Sequence, residues 1–312
     1  MDLDALTIGD AVIDAFLTLA DLNQEVSLDR IHHRLSVVYG EKILLSACDF
    51  FLGGNASNVA VGLSRAGLKT AILAEVTKDE FAQKILNSLQ REKVLTEFLV
   101  RGEGQSSFSI GLNFQGERTL FVEHHDRSHD FHLDHITTRA IYLTSLGHSW
   151  EHVYKKVAGY IQQQPETLFA FNPGSTQFQD GSEKFAYLLP LVSLLFVNKE
   201  EAEKIVGKKA EIPELLAELH AKGIRIVSLT DGEAGAYASD ENNKLYHQAK
   251  VDCPVVERTG AGDAYASGFL AAYLREKDIP TAMLWGVHNA AAVIGKIGAE
   301  AGLLRAEDFA TL

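Results

Sequence analysis

From about residue 55 onward, the sequence alternates short apolar segments with longer amphipathic segments, and this order constrains the fold most strongly. Short apolar segments are typical of buried strands, and amphipathic segments of about 10–15 residues are typical of helices. The predicted helices are Asn55–Ala66, Asp79–Lys93, Trp150–Gln164, Lys199–Val206 and Ile212–Lys222. The predicted strands are Lys69–Leu73, Ala140–Leu143, Leu168–Phe171, Leu194–Val197 and Ile224–Leu229. The alternation predicts an α/β fold with a doubly wound, mostly parallel sheet flanked by helices.

Two segments, 12–51 and 106–124, depart from this alternation and have the pattern of β hairpins. The clearest hairpin joins SSFSIGLNF to RTLFVEH through QGE. Because one βα unit separates the two segments, we expect them to meet as a small second sheet. A sheet beside an open α/β sheet is suited to act as a lid over a ligand. No linker or repeat interrupts the chain, so residues 1–312 are predicted to form one domain.

Composition excludes several classes of protein. The formal net charge is −13, which argues against nucleic acid as a partner because phosphate contacts need a basic surface. Two cysteines in dissimilar contexts form no disulfide framework and are typical of a reducing cytoplasm. The N-terminus is acidic where a signal peptide is basic, and the longest apolar run, 187–197, is too short to span a bilayer. We therefore expect a cytoplasmic protein with no membrane partner.

The stretch ERTGAGDAYASGF, residues 257–269, begins as a glycine-rich turn and continues into a helix with an apolar face. A short glycine turn followed by an acid is usually a plain helix start. Bare N–H groups at a helix start also bind anions, and here Asp263 follows them directly. A carboxylate in that place repels a resting phosphate, but it suits a base for a hydroxyl that attacks the phosphate. The stretch is therefore a candidate for phosphoryl transfer.

Polar turns at two other places are candidates for binding a polyol. Gly53 and Gly54 permit close backbone approach, and Asn55 and Asn58 offer both donors and acceptors. The structural alternative is a glycine turn with an asparagine cap. A strand-like apolar segment also begins the chain, and Asp14 follows it, at a sheet edge where ligands gather. Asp14 is either a sugar ligand or a solvated acid.

Two further turns follow predicted strands. Asn198 and Glu201 lie at a helix start, where an N-cap with acids in the first turn explains them equally well. Thr230, Gly232 and Gly235 form a glycine turn at the carboxyl end of a strand, and its structural alternative is a hairpin into residues 236–239.

Residues 123–135, EHHDRSHDFHLDH, contain five of the twelve histidines. The spacing of His125 and His129 suits zinc on a helix, but the segment contains no HExxH motif and no nearby cysteine. A charged run of this kind is more often a solvated loop, which we expect at the edge of the lid.

Taken together, these motifs resemble those of the ribokinase-like (PfkB) carbohydrate kinase family over essentially the whole chain. The matching motifs are GDxxxD at residues 9–14, GGNxxN at 53–58, NxxE at 198–201, TxGxxG at 230–235 and TGAGDAYxxGF at 259–269. The last is the most specific of the five. The resemblance implies a kinase that uses ATP and Mg²⁺, and a β lid that often mediates dimers.

The resemblance also assigns roles to individual residues. It implies that Asp263 is the catalytic base and that the backbone of Gly260, Ala261 and Gly262 forms the anion hole. The residues implied to hold the sugar hydroxyls are Asp14, Gly54 and Asn58. Those implied to bind the nucleotide are Asn198, Thr230, Gly232, Gly235 and, beside adenine, Asn289. Glu201 is implied to organise Mg²⁺ through water.

The sequence departs from the family pattern immediately before its most specific motif. Where the family usually has Asp and Thr, this chain has Glu257 and Arg258. Since that Asp often helps to hold an activating monovalent cation in the family, the departure predicts a weakened dependence on potassium. Arg258 either brings positive charge towards the triphosphate or pairs with Glu257 at the surface.

The leading hypothesis is an ATP-dependent kinase of a free sugar, ribokinase- or fructokinase-like. The nearest alternative is a nucleoside kinase, for which the lid offers possible aromatic walls at Phe16, Phe108, Phe114 and Phe121. A sugar phosphate acceptor ranks below these, because the motifs near Asp14 contain no basic cluster. A non-catalytic sugar-binding regulator is the alternative from another class, and a homodimer through the β lid is the expected assembly.

Overall fold

The computed structural model describes residues 2–20, 25–32, 34–114, 117–123 and 125–312. In chain order the strands are β1 (Asp2–Ile8), β2 (Val12–Leu19), β3 (Val26–Asp29), β4 (Arg34–Val37), β5 (Leu45–Gly53), β6 (Thr70–Leu73), β7 (Glu75–Val76), β8 (Val100–Arg101), β9 (Phe108–Phe114), β10 (Glu117–Glu123), β11 (Thr137–Leu143), β12 (Leu168–Phe171), β13 (Leu194–Asn198), β14 (Ile226–Thr230), β15 (Ala236–Ser239) and β16 (Leu245–Gln248). The helices are α1 (Asn55–Arg65), α2 (Glu80–Arg91), α3 (Glu151–Gln163), α4 (Ser175–Asp180), α5 (Lys199–Val206), α6 (Ile212–Ala221), α7 (Ala261–Leu274), α8 (Ile279–Ile294) and α9 (Ala306–Phe309).

The main sheet has the order β16-β15-β14-β13-β12-β11-β1-β6. Within this sheet, neighbouring strands pair in parallel along β14, β13, β12, β11, β1 and β6. Strands β15 and β16 add an antiparallel edge. A parallel sheet needs apolar cover on both faces, and alternate residues of a strand supply it. On β11, Ile141 and Leu143 enter one core, whereas Ala140 and Tyr142 enter the other. The predicted doubly wound α/β fold is confirmed.

Each core holds its own group of helices. The first core contains apolar residues of α3, α5 and α6, including Trp150 and Tyr154 beside Phe171. The second contains residues of α1, α7 and α8, including Phe269 and Met283. Burying one such side chain fully contributes about 1.5–3 kcal/mol, so the two cores fix the helices against the sheet. The start of α7 is thereby held at one edge of the sheet.

The two all-β segments meet as a small second sheet of order β10-β9-β2-β5, which confirms the prediction of a separate small sheet. Strand β2 pairs antiparallel with β5 and parallel with β9, so residues far apart in sequence lie side by side. The antiparallel pairing of β9 with β10 matches the predicted hairpin. The first two residues of its predicted turn, 115 and 116, lie outside the described residues.

The predicted helices and strands agree closely with the observed ones. Both ends of α5 and β12 agree, and β14 begins two residues after the predicted start at Ile224. The difference at β14 arises because Gly223, with a φ of 95°, ends the preceding helix and residues 224–225 complete the turn. No helix in the described ranges combines the length and the apolar character needed to cross a membrane.

Candidate active site

The candidate site lies at the carboxyl ends of the parallel strands, beside the start of α7. Asn198 ends β13, Thr230 ends β14, and Asp263 lies in the first turn of α7. All three line one cleft of about 190 Å³. Ligands of open α/β sheets bind at this edge because the strands end there and the helices begin. The fold therefore brings together motifs that the sequence predicted to be functional.

The start of α7 has the geometry of an anion site. Gly260 precedes the helix with a φ of 74°, and a Cβ at this residue would lie 2.4 Å from that of Ala299, so only glycine fits. No described side chain caps the first turn. A Cβ added to Gly262 would meet nothing within 4 Å, so this part of the backbone is open to the cleft. Uncapped N–H groups and the helix dipole favour a negative charge at this point.

Asp263 is a buried carboxylate held by two amides. It is 6% exposed, and it accepts hydrogen bonds from Asn55 Nδ2 (3.1 Å) and Asn58 Nδ2 (2.8 Å). Burial raises the pKa of Asp263 to about 7, the amides of Asn58 and Asn55 oppose that rise, and the nearby carboxylates of Asp14 and Glu201 add to it. A carboxylate with a pKa near neutrality is suited to accept a proton from a hydroxyl.

The remaining sugar-binding predictions lie beside Asp263. Asn58 directs its amide nitrogen to Asp263, and its buried Oδ1 has no hydrogen-bond partner among the described residues. Asp14 is 7% exposed, and it accepts a hydrogen bond from Ser109 Oγ. Gly54 has a φ of 91°, and a Cβ there would lie 2.4 Å from Asp10 O. The observed role of Gly54 is this close turn, and its contact with a sugar stays a prediction.

A second cleft of about 240 Å³ lies on the other side of the α7 start. The predicted nucleotide residues Thr230, Gly232 and Gly235 line it. Its apolar wall consists of Val251, Val255, Val287, Ala290, Ala291 and Ile294. The two clefts adjoin each other, because both are lined by Thr230, Arg258, Ala261, Gly262 and Tyr265. The hairpin alternative for the glycine turn is confirmed, since β14 pairs antiparallel with β15, and binding of a nucleotide by this turn stays a prediction.

The structure places Asn289 away from the second cleft, so it does not support the prediction that Asn289 contacts adenine. Its Nδ2 donates to Ala264 O (2.8 Å) and Ser267 Oγ (3.2 Å), and its Oδ1 accepts from Leu304 N (2.8 Å). Asn289 is buried and does not line the cleft. The amide satisfies backbone groups where α7, α8 and the C-terminal segment meet, which is a structural role.

Asn198 and Glu201 form a capping box at the start of α5, which is the structural explanation that the sequence offered for them beside a functional role. Asn198 Oδ1 accepts from Glu201 N (2.9 Å), and Glu201 Oε2 accepts from Asn198 N (2.9 Å). Both residues also line the cleft with Asp263, and burial raises the pKa of Glu201. The described residues contain no group of three or more His, Cys, Asp or Glu side chains that could hold a metal ion. Glu201 offers carboxylate oxygens at the edge of this cleft, and oxygen atoms are the ligands that Mg²⁺ prefers.

Glu257 and Arg258 have opposite environments. Glu257 is 4% exposed and accepts from Thr259 N (2.9 Å) and Gly298 N (3.1 Å). Arg258 is exposed and lines both clefts, so its guanidinium is placed where it can face an anion. Thr259 Oγ1 is buried and has no hydrogen-bond partner in the described part of the chain. An unsatisfied hydroxyl and a nearby guanidinium fit the phosphates of a nucleotide.

The prediction of a solvated loop is wrong for the middle of the histidine-rich segment. His129 and Phe131 are buried, and His125 and Arg127 line a small cleft with Asp10. No metal-binding cluster occurs among the described residues, and His124 lies outside them. Neither Arg127 nor Asp10 was among the predicted site residues. No local motif marks Arg127, because its place depends on residues distant in sequence.

The phenylalanines offered as a wall for a nucleobase do not line the clefts beside α7. Phe16 and Phe114 are buried, Phe108 stacks on Phe81, and Phe121 is 56% exposed. The small sheet uses these rings for its own packing or leaves them at its surface. The structure thus gives no support to the aromatic wall.

The sequence profile of the pfkB family of carbohydrate kinases matches residues 18–306. Over 255 residues the chain is 29% identical to fructosamine kinase of Bacillus subtilis, an alignment that covers 80% of this chain and 86% of that protein. Its fold is similar to that of Arabidopsis thaliana ribokinase complexed with ribose and ATP, with a TM-score of 0.78, 14% identity and coverage of 100% of this chain and 98% of the other. It is also similar to Burkholderia thailandensis nucleoside kinase in complex with inosine, with a TM-score of 0.78, 18% identity and coverage of 98% and 96%. The chain therefore belongs to the pfkB family of carbohydrate kinases, and it is a phosphotransferase that acts on an alcohol group.

Proposed function

We propose that this kinase transfers the γ-phosphoryl group of ATP to a hydroxyl of a free sugar, with Asp263 as the catalytic base. The observation that carries the proposal is a buried carboxylate with a pKa of about 7 directly beside an uncapped helix start. The carboxylate takes the proton of the attacking hydroxyl. The N–H groups of Gly260, Ala261 and Gly262 stabilise the negative charge on the transferred group.

ATP supplies the phosphoryl group when it is bound. Its adenine fits the apolar wall formed by α8 and residues 251–255, and its phosphates fit the stretch that both clefts share. The fold is similar to that of a ribokinase solved with ribose and ATP, which supports this placement. Thr230, Gly232 and Gly235 contact the nucleotide, and Arg258 brings positive charge to its phosphates. Most of the rate acceleration comes from positioning and charge stabilisation, because phosphoryl transfer has a loose transition state.

We also propose that Mg²⁺ accompanies the nucleotide and that Glu201 binds it through water. Carboxylate oxygens and phosphate oxygens are the ligands that Mg²⁺ prefers, and it retains several waters in most nucleotide sites. Glu201 lines the cleft beside Asp263, and Asn198 fixes the orientation of its carboxylate.

A free sugar is favoured over a nucleoside at the acceptor side. Asp14, Asn58 and Asp263 surround this side with buried oxygen and nitrogen atoms, which suit hydroxyl groups. A nucleobase needs an apolar or aromatic wall, and none of the four candidate phenylalanines lines the cleft that contains Asp263. Asp14 accepts two hydroxyl hydrogen bonds from the sugar, and Asn58 Oδ1 accepts another.

The small sheet is proposed to act as a lid and as a dimer interface. Its exposed apolar residues include Leu45, Phe50, Leu120, Phe121 and Val122, which are 41–56% exposed. Exposed apolar side chains clustered on one sheet favour association with another copy. A cytoplasmic location is proposed because Cys48 and Cys253 are both unpaired and partly or fully exposed.

The decisive test is an ADP-release screen across free sugars, sugar acids, nucleosides and sugar phosphates. The highest kcat/KM is expected with a free sugar, and the Asp263→Asn variant should lose that signal. If a nucleoside gave the highest kcat/KM, the sugar assignment would be wrong while the kinase chemistry would stand. If Asp263→Asn kept the turnover of the wild type, the base assignment would be wrong.

A further inference from the structure

A small cleft that is separate from the start of α7 lies where β1 ends. Its charged and titratable lining residues are Asp10, Glu75, His125 and Arg127, and the hydroxyls of Ser106 and Ser107 complete its polar wall. Its volume is about 20 Å³. A cavity of this size holds about one water-sized group. The cleft is therefore a site for a single small polar group.

The cleft adjoins the acceptor side of the site. Val12 lines it, and Asp14 lies two residues further along β2, on the same face of the strand. Ser107 also lines it, while Ser109 donates to Asp14. The turn at Gly54 packs on the backbone of Asp10. A ligand held by Asp14 thus has one end near Asp263 and the other near this cleft.

Arg127 is held in place by its backbone and side-chain contacts. Its guanidinium donates to Glu103 O (3.3 Å) and to Gln105 O. The next two residues are tied to Glu75, whose Oε2 accepts from Ser128 Oγ (3.2 Å) and His129 N (2.5 Å). Two of the five guanidinium N–H groups suffice for these carbonyls, so others remain for a ligand. Glu75 is a positioning residue, because it fixes the backbone that carries Arg127.

Asp10 and Arg127 are neighbours without direct contact. Burial raises the pKa of Asp10 to about 7, and three smaller effects oppose the rise: a hydrogen bond from the Gly147 backbone, the positive charge of Arg127 and a hydrogen bond with the Ser145 side chain. Both side chains line the cleft, and the space between them is the cleft itself. A group that bridges them must accept from a guanidinium and donate to a carboxylate. A hydroxyl does both and can also accept from Asp10 when that group is protonated, whereas an ammonium has no acceptor for the guanidinium.

We propose that Arg127 and Asp10 form a specificity subsite for one hydroxyl of the acceptor, at the end of the sugar remote from the phosphorylated hydroxyl. The inference rests on the proposed function and narrows its substrate class. The acceptor is a free sugar whose remote end carries a hydroxyl or hydroxymethyl group. A nucleobase, a second sugar unit or a phosphate at that end exceeds the volume of the cleft.

The test compares Arg127→Gln with Arg101→Gln. Arg101 is a matched control, because it is exposed, donates to a backbone carbonyl (Thr77 O, 3.0 Å) and does not line the cleft. Turnover is measured with D-ribose, D-fructose and D-glucose, and then with the monodeoxy derivatives of whichever sugar is phosphorylated fastest. We expect Arg127→Gln to raise the KM for that sugar about 10- to 100-fold, with kcat and the KM for ATP nearly unchanged. Arg101→Gln should behave as the wild type does.

The deoxy series assigns the lost contact to one hydroxyl. One monodeoxy sugar should already have a raised KM with the wild type, and Arg127→Gln should change that KM by less than about two-fold. Asp10→Asn should show the same pattern, and thermal melts would identify a variant that fails to fold. If Arg127→Gln raised the KM equally for every deoxy sugar, or left the KM for the parent sugar unchanged, the subsite would be overturned but the proposed function would not. A wild type that releases ADP with no free sugar would overturn both.

Discussion

The proposed nucleotide side and the proposed acceptor side of this site are assembled from the chain in different ways. Every residue that lines the nucleotide cleft falls between Thr230 and Ile294, and most of the surface is apolar side chain or glycine backbone. The acceptor side instead takes Asp14 from β2, Asn58 from α1 and Ser109 from β9. Its surface consists of buried polar atoms. Asp263 lies at the junction of the two.

This difference has a consequence for how each side tolerates change. An apolar wall and an open backbone make many small contacts, so a single substitution removes only a part of the binding free energy. A buried polar set acts through a few directed hydrogen bonds, and losing one leaves its partner unsatisfied. Substitutions on the acceptor side should therefore have larger effects on sugar binding than substitutions in the nucleotide cleft have on ATP binding.

The largest effect is expected at the junction. Asp263→Asn should lower kcat about 10²- to 10⁴-fold, because the amide cannot accept the hydroxyl proton, while the KM values for sugar and ATP change little. Steady-state kinetics with both substrates varied would measure this. Asp252→Asn, at a carboxylate that is 95% exposed, is the control. Near-normal turnover of Asp263→Asn would remove Asp263 from the role of base.

On the acceptor side, Asp14→Ala should weaken sugar binding by about 2–4 kcal/mol, or roughly 30- to 1000-fold, since two charge-assisted hydrogen bonds are lost. ATP binding should stay within about two-fold of the wild type. Calorimetric titration of each substrate separately distinguishes the two sides. If ATP affinity fell and sugar affinity did not, the two sides would be assigned the wrong way round.

The contrast between the two sides also explains what the sequence could predict. The TGAGD turn and the strand ends beside it are local in the chain, so their motifs alone located the start of α7 and Asp263. Arg127 donates to Glu103 O and Gln105 O, and the backbone that follows it is tied to Glu75, so its place depends on residues that are not near it in sequence. No periodicity within residues 123–135 encodes those contacts. The charged run therefore had the pattern of a solvated loop.

The placement of Asn289 away from the cleft has a different cause. The resemblance put Asn289 beside adenine, but it did not indicate which side of the helix faces the cleft. Val287, Ala290, Ala291 and Ile294 follow the spacing of one helical face and line the cleft. Asn289 lies off that face and satisfies the backbone of α7 instead. Which face of an apolar helix binds a ligand is decided by packing, and both faces of α8 are apolar enough to be buried.

On the nucleotide side, a pair of glycine substitutions tests the proposed anion site. A Cβ at Gly262 meets no atom within 4 Å, so Gly262→Ala should fold normally and raise the KM for ATP about 10-fold by obstructing the phosphates. At Gly260 a Cβ would lie 2.4 Å from Ala299, in a left-handed conformation, so Gly260→Ala should lower stability by about 1–3 kcal/mol. Thermal melts and ATP kinetics separate the two outcomes. A Gly262→Ala variant with normal KM for ATP would contradict the anion site.

The acceptor side should also tune the base. Because the pKa of Asp263 is about 7, kcat/KM for the sugar should rise with pH through that value as the carboxylate ionises. Asn55→Ala removes a donor that stabilises the ionised form, so the rise should move to higher pH. Asp14→Asn removes a like charge near Asp263, so the rise in kcat/KM should move to lower pH, by up to about one unit. If the two variants did not shift the pH profile of kcat/KM in opposite directions, a group other than Asp263 would set the rise.

The smallest effect is expected from monovalent cations. The Glu257 carboxylate is buried, and both of its oxygens accept backbone N–H groups, from Thr259 and Gly298. A carboxylate engaged in this way is less available to a cation, and the positive charge of Arg258 beside it disfavours a second one. We therefore expect turnover in potassium, sodium and a bulky organic cation, at constant ionic strength, to agree within about two-fold. Glu257→Asp shortens the side chain and returns the residue that the family usually has there, so it should increase the response to potassium. A several-fold rise specific to potassium in the wild type would mean that the backbone carbonyls around this turn hold the cation without help from residue 257.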